Sequence, residues 1–205
     1  MKSASADVSP TADKHQVACP GVRLRSSVPW CANLVDRLVS GIEDVAVYIE
    51  TARAAVTLRA LTPDIAVTYE SAMKANAAHL TRHGNYAQEV EKAASEYVTE
   101  FQKQWPALAF GIYEMEELVG SVALVPVDPP QYGLGYWLAE SACGRGLATT
   151  AVEAVARYAE ETLAATNIFA GVTHGNDKSR AVLQRAGFQV VAEFEDYTRY
   201  HRALP

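Results

Sequence analysis

An α/β fold built on a mixed sheet is what this sequence predicts, and three observations predict it. From Ala107, three apolar runs (ALAFGIYE, LVGSVALVPV and YGLGYWLAE) are separated by polar or Gly/Pro turns, which reads as an antiparallel meander. Before the meander, apolar residues recur at helical spacing over about residues 63–103. After it, a strong helix, a strand, a second helix and two short strands follow in turn. The order β-α-α-β-β-β-α-β-α-β-β fits a mixed sheet with helices on its faces.

Residues 1–20 are small, polar and proline-punctuated, and read as a flexible tail. Residues 21–53 form an N-terminal extension. In it VRLRSSV reads as a short strand, and Leu34, Leu38 and Ile42 fall on one helical face. VAVYIE after Asp44 and AVTLRAL from Ala55 to Leu61 are β-type runs that pair across Glu50–Arg53. Thr62-Pro63-Asp64 has the makings of a helix entry, with threonine as cap, and the helix should run to about His79. Gly84-Asn85 breaks it. Tyr86 to Lys103 reads as a second amphipathic helix, with Val90, Ala94, Tyr97 and Phe101 inward and Glu89, Glu91, Glu96 and Glu100 outward. Beyond the meander, Ala148 to Leu163 turns Ala151, Val152, Val155, Ala159 and Leu163 inward. IFAGVTH is a strand. Asn176 to Ala186 is a helix closed by Gly187, and residues 188–193 and 196–203 are the terminal strands.

The 205 residues are 49% apolar and 20% charged, an ordinary globular balance. Eighteen basic against 24 acidic residues leave a net charge of −6. That balance counts against nucleic acid as a partner and favours a cationic or amine substrate. Cys19, Cys31 and Cys143 form no CxxC pair, so neither a disulfide framework nor a zinc site is expected, and a reducing cytoplasm is the default location. His79 and His83 stand at i, i+4, but HLTRH lacks the glutamate of a zinc helix and no third ligand is evident. No apolar run approaches the ~18 residues of a membrane span, and the N-terminus has no signal-peptide pattern.

The chemistry concentrates between Leu134 and Thr150. A strand ends at Ala139–Glu140, and Ser141-Ala142-Cys143-Gly144-Arg145-Gly146 leads straight into a helix. Strand, glycine loop, helix N-terminus is a recipe for holding phosphate: first-turn N–H groups lack partners, and the helix dipole favours negative charge. Arg145 adds a cation, and Thr149 and Thr150 add hydroxyls. There is no GK[ST], and Gly133-x-Gly135 runs into Tyr-Trp-Leu within a strand, so neither a P-loop nor a dinucleotide fingerprint is present. A plain tight turn is the competing reading of the glycines.

Thirty residues on comes Asn176-Asp177-Lys178-Ser179, then Ala181-Val182-Leu183 and Gly187-Phe188. With GYWL followed by GRGLAT, NxxSxxVLxxxGF in order after it, and LRALTPD near residue 60, the sequence resembles the GNAT superfamily of acetyl-CoA-dependent N-acetyltransferases. It looks most like the RimJ/RimL branch, over about residues 54–203. The resemblance implies a GNAT-type mixed, mostly antiparallel twisted sheet flanked by helices, occupying residues 54–205. It implies acetyl-CoA as the cofactor. Trp137, Leu138 and Ala139 would offer a splayed strand to the pantetheine arm. Cys143, Gly144, Arg145, Gly146, Leu147 and Ala148 would wrap the pyrophosphate, with Thr149 beside them. Asn176 would bind the pantetheine, and Ser179 would sit near the sulfur.

The implied reaction is direct acyl transfer. A neutral primary amine attacks the thioester carbonyl, a backbone N–H near Leu138 steadies the oxyanion, and Ser179 gives a proton to the leaving thiolate. No covalent enzyme intermediate is needed, so Cys143 need not be a nucleophile. Three positions depart from the family: Cys143 replaces a Gln or Arg, Gly133 stands where a base-orienting glutamate is usual, and His174-Gly175 replaces Pro-Glu. His174 is therefore the first candidate base, with Glu193 and Tyr132 behind it. His79, His83, Tyr86, Tyr113, Tyr132 and Tyr197 are candidates for the acceptor pocket. The expected acceptor is a small-molecule amine such as an antibiotic, amino sugar or amino acid. The alternatives are a ribosomal-type protein N-terminus, or a non-catalytic acyl-CoA sensor. No membrane partner is expected, and homodimerisation is open.

Overall fold

The computed structural model describes residues 48–83, 86–103 and 108–205. The tail, the VRLRSSV strand and the helix expected over Trp30–Ile42 lie outside them, as do Cys19, Cys31, Gly84 and Asn85. Eight strands form one sheet in the order β1-β2-β3-β4-β5-β6-β8-β7. They are β1 (Tyr48–Glu50), β2 (Val56–Ala60), β3 (Ala109–Glu114), β4 (Glu117–Asp128), β5 (Gln131–Leu138), β6 (Asn167–Thr173), β7 (Gln189–Glu193) and β8 (Tyr197–Ala203). Every neighbouring pair is antiparallel except β5 and β6. The meander is β3–β4–β5, and the hairpin expected around Glu50–Arg53 is β1–β2. Tyr48–Glu50, assigned to the extension from sequence, is thus the edge strand of the sheet.

The helices are α1 (Ala66–Ala75), α2 (Ala77–Leu80), α3 (Ala94–Lys103), α4 (Leu147–Leu163) and α5 (Asp177–Arg185). Two expectations need correction. The first helix is not continuous to His79. Pro63–Ile65 is a 3-10 turn, and Thr62 makes no side-chain cap. Asn76 then interrupts the helix, because its side chain bridges Ala72 O and the Glu140 N–H, each at 2.9 Å. Nor is Tyr86–Lys103 one helix. Lys92 is extended, and α3 starts afresh where the Glu96 carboxylate accepts the Ala93 N–H at 2.8 Å, one arm of a capping box.

A parallel pair cannot be joined by a tight turn, and α4 supplies the crossover from β5 to β6. Its inward residues Ala151, Val152, Val155, Ala159 and Leu163 are all buried, at the helical spacing read from sequence. They belong to a first core that α4, α5 and the even-numbered residues of β5 share on one face of the sheet. The other face holds a second core. There Tyr69, Tyr97, Phe101 and Trp137 meet, with ring centroids 4.9, 5.3 and 5.7 Å from that of Tyr69. The Trp137 indole N–H donates to Tyr69 Oη at 2.8 Å, and Tyr69 Oη and Ser121 Oγ share a proton at 3.0 Å. The polar atoms brought into this core thus satisfy one another.

Candidate active site

The site grows out of where β5 leaves its neighbour. β6 pairs with β5 only through Gly133, opposite Phe169, and the strands then diverge. On the other side β5 stays in register with β4 from Tyr132 to Leu138. The Ala139 N–H donates to Val119 O at 2.8 Å. Bonded and non-bonded pairs alternate along an antiparallel ladder, so Trp137 turns its N–H and C=O towards Ser121. The backbone groups of Tyr136 and Leu138 point the other way, into the gap. Of Trp137, Leu138 and Ala139, Leu138 alone turns its backbone groups to the gap. Ala139 and Trp137 bond to β4, and the Trp137 side chain is buried in the second core.

Gly120 fixes how closely β4 lies against the end of β5, on the side away from the gap. A Cβ there would lie 2.2 Å from Trp137 O and 3.0 Å from Leu138 Cα, so only glycine lets β4 approach β5 this closely.

At the end of β5 a 3-10 turn, Glu140–Ala142, leads into Cys143, and Gly146 caps α4 with φ +81°. That left-handed backbone turns the loop into the helix and leaves the first-turn N–H groups of α4 facing outward. Two neighbours brace the loop. The Arg53 guanidinium donates to Arg145 O at 2.7 Å, and Arg145 itself pairs with Glu114. The cation expected to meet phosphate is therefore drawn aside to β3. The fit to a pyrophosphate rests instead on the helix N-terminus, and on Thr149 in its first turn, whose Oγ1 is buried without a hydrogen-bond partner.

Cys143 Sγ lies 3.6 Å from His79 Nε2 and 3.5 Å from Ala139 O. Burial pushes the thiol up, so it stays protonated and is a poor nucleophile. His79, expected in the acceptor wall, instead packs on the loop. Its Nδ1 is buried without a hydrogen bond, 3.7 Å from the Glu140 carboxylate. Burial lowers the imidazole from 6.5, Glu140 opposes that shift, and Arg82, Lys178 and His83 add to it. The unfolded chain then binds this proton more readily than the fold does. Stability attached to neutral His79 is full above about 6.5 and is lost as the pH falls through the lowered native value. Acid unfolding followed by circular dichroism should show this loss in the parent and a flatter profile over that window in His79→Gln.

Across the gap, the Tyr136 hydroxyl and Ser179 Oγ lie 2.7 Å apart, and Tyr136 also donates to Ser179 O at 3.2 Å. Ser179 stands in the first turn of α5, which Asn176 caps: its Oδ1 accepts the Ser179 N–H at 3.2 Å. Burial pushes the Tyr136 phenol up to about 12. From the opposite face, the Tyr86 hydroxyl donates to Tyr136 O at 2.8 Å. Burial raises the Tyr86 phenol well above its usual range, so it remains a donor. Tyr136 was missed from sequence, although the GYWL motif contains it.

The remaining expected residues are spread over the fold. Tyr132 is buried in the first core below the gap. Tyr113 sits on β3 beneath the Arg59 guanidinium, 4.5 Å from its ring centre. Glu193 is exposed on the edge strand β7, with β8 and β6 between it and the gap. His83 ends the 3-10 turn after α2. His174 is exposed just past β6, its N–H donating to Asp196 O at 3.1 Å. Tyr197 opens β8 opposite Thr173. No group of three or more potential metal ligands occurs among the described residues.

The glycine loop at the α4 N-terminus thus lies beside a splayed parallel pair, and comparison with known proteins gives the class. Residues 55–189 match the acetyltransferase (GNAT) domain family, to which the chain therefore belongs. By class it is an acetyl-CoA-dependent N-acetyltransferase. Among solved structures it is similar to the microcin C7 self-immunity acetyltransferase MccE in complex with acetyl-CoA and AMP (TM-score 0.64, 19% identity, 74% of this chain and 94% of that one). It is also similar to RimL, the ribosomal L7/L12 α-N-protein acetyltransferase, in complex with coenzyme A (0.65, 22%, 77% and 98%). Mycobacterium smegmatis RimJ matches as well (0.65, 20%, 77% and 88%). A Bacillus subtilis (strain 168) protein that carries the name "Putative ribosomal N-acetyltransferase YdaF" is 40% identical over 55 residues, 27% of this chain and 30% of that relative.

Proposed function

We propose that this chain moves the acetyl group of acetyl-CoA directly to the primary amine of a small molecule. The observation that carries the reading is the gap itself, with the Leu138 N–H and Tyr136 C=O aimed into it and the α4 N-terminus at its mouth. The cofactor supplies an activated thioester. Leu138 and the loop from Cys143 to Ala148 would hold it. The Leu138 N–H is a fixed donor of the kind that steadies an oxygen gathering negative charge. Ser179, backed by the Tyr136 hydroxyl, is placed to deliver a proton on the α5 side. The Tyr86 hydroxyl, bonded to Tyr136 O from the face opposite Ser179, marks the acceptor side in this reading. His174, exposed at the end of β6, takes the proton released by the amine, directly or through water.

Support for a small acceptor comes from Tyr86, whose hydroxyl already occupies part of the β5 backbone on that side, and from the likeness to MccE. A protein N-terminus is the second reading, favoured by the likeness to RimL, RimJ and YdaF. A thiol-release assay over a panel of small amines and N-terminal peptides decides between them. Turnover on small amines, with kcat reduced in His174→Ala, is the expected result. Turnover on peptides only selects the second reading. Acetyl-CoA binding without turnover on anything would make the domain a sensor.

A further inference from the structure

Behind the loop that leads into α4 stands a cation from the start of the sheet. Arg53 lies in the turn between β1 and β2. Its backbone is held there: its N–H donates to Thr51 Oγ1 at 3.1 Å, and its carbonyl accepts the Val56 N–H at 2.8 Å. The hairpin is in turn fastened to α4, where the Arg157 guanidinium donates to Glu50 O at 3.1 Å. From this base the Arg53 guanidinium meets Arg145 O, 92 residues on, at 2.7 Å. It also lies over Gly146, where a Cβ would stand 3.6 to 3.8 Å from its atoms. The Arg145 side chain is held separately, by Glu114 of β3.

The Arg145–Gly146 peptide is trans, so its C=O and N–H point in opposite directions. A donor fixed on the carbonyl therefore fixes the N–H as well. This matters at a glycine, which takes either sign of φ, so that the peptide before it turns over at little cost. Gly146, at φ +81°, holds one of the two settings. The charge of the donor also polarises the peptide and makes its N–H the stronger donor. We infer that Arg53 is a positioning residue for the cofactor's phosphates: gripping the Arg145 carbonyl from behind, it turns the Gly146 N–H to the pyrophosphate at the α4 N-terminus. The inference rests on the reading of Cys143 to Ala148 as the pyrophosphate loop, and deepens it. It also gives the β1–β2 hairpin, which lies at the opposite edge of the sheet from β7, a part in holding the cofactor.

The test measures binding of coenzyme A and of 3′-dephospho-coenzyme A by calorimetry, in the full chain and in Arg53→Met and Arg53→Lys, and follows the Gly146 amide by proton–nitrogen NMR. In the parent, saturating coenzyme A should move the Gly146 resonance downfield, as a hydrogen bond to an anion does. In Arg53→Met both ligands should lose affinity equally, roughly ten- to a hundredfold, as for a lost charge-assisted hydrogen bond. The Gly146 shift at saturation should shrink with it. Arg53→Lys should restore part of both, because an ammonium still donates to the carbonyl but without the fork. Arg53 is exposed in its turn, and unchanged circular dichroism in both variants shows that the fold persists. Unchanged affinity in Arg53→Met overturns the inference. So does a loss confined to coenzyme A, which places the guanidinium on the 3′-phosphate, or a full Gly146 shift in a weakened variant, which places it directly on the anion. A parent that binds coenzyme A without moving Gly146 overturns the inference and the loop reading together, while acetyl-CoA dependence stands.

Discussion

Gly120→Ala should lose acetyl-CoA binding while most of the chain stays folded. The added methyl would meet Trp137 O at 2.2 Å and Leu138 Cα at 3.0 Å, both backbone atoms of β5 that no rotamer change can move aside. Relief requires β4 and β5 to separate at Leu138, whose N–H faces the gap on the other side of β5. Overpacking against side chains costs about 1–3 kcal/mol, and against fixed backbone the cost should reach the top of that range. Calorimetry should find acetyl-CoA affinity reduced by roughly a hundredfold or more, with a thermal midpoint lowered by several degrees. Near-parental affinity in Gly120→Ala would show that the gap is not held open by this contact.

The second large effect is on turnover. Ser179→Ala removes the hydroxyl 2.7 Å from Tyr136, and the first-turn N–H that Asn176 caps is untouched, so α5 should fold as before. A positioned proton donor contributes typically 10²–10⁴-fold, and kcat should drop by about that order with little change in acetyl-CoA affinity. Tyr136→Phe leaves Ser179 in place without its partner and should fall between parent and Ser179→Ala. The Tyr136 phenol is held up at about 12, so the parent's rate should show no alkaline loss traceable to this group below roughly pH 10. Equal kcat in Ser179→Ala and parent, measured at saturating acetyl-CoA, would remove this pair from the chemistry.

What the sequence made legible follows from how local each signal is. The meander, the crossover helix and the α5 cap each depend on residues within one or two turns of one another, so run length, helical spacing and Asn176 sufficed. The loop from Cys143 to Gly146 was legible for the same reason. Pairings across the fold were not. Nothing near Arg145 in sequence announces Glu114, 31 positions earlier, which takes its charge. Tyr86 finds Tyr136 O 50 residues on, and His79 finds Cys143 64 residues on, only because the sheet brings α1 and α2 over the end of β5. The orientation of Trp137 is a matter of parity. Which of two adjacent strand residues faces the gap depends on the β4 register, and a shift by one residue exchanges them. The helix drawn through Lys92 failed because its apolar spacing holds on both sides of a break that the Glu96 cap restarts.

The two cores lie on opposite faces of one sheet and meet at β5, where Tyr136 belongs to one and Trp137 to the other. The sheet therefore acts as a partition. In the proposed reaction, grip on the thioester falls to the α4 and α5 side, and choice of amine to the Tyr86 side. A change of preferred amine can accumulate on one side, residue by residue, without loosening the carrier on the other. Separable inheritance of this kind lets one scaffold serve many acceptors.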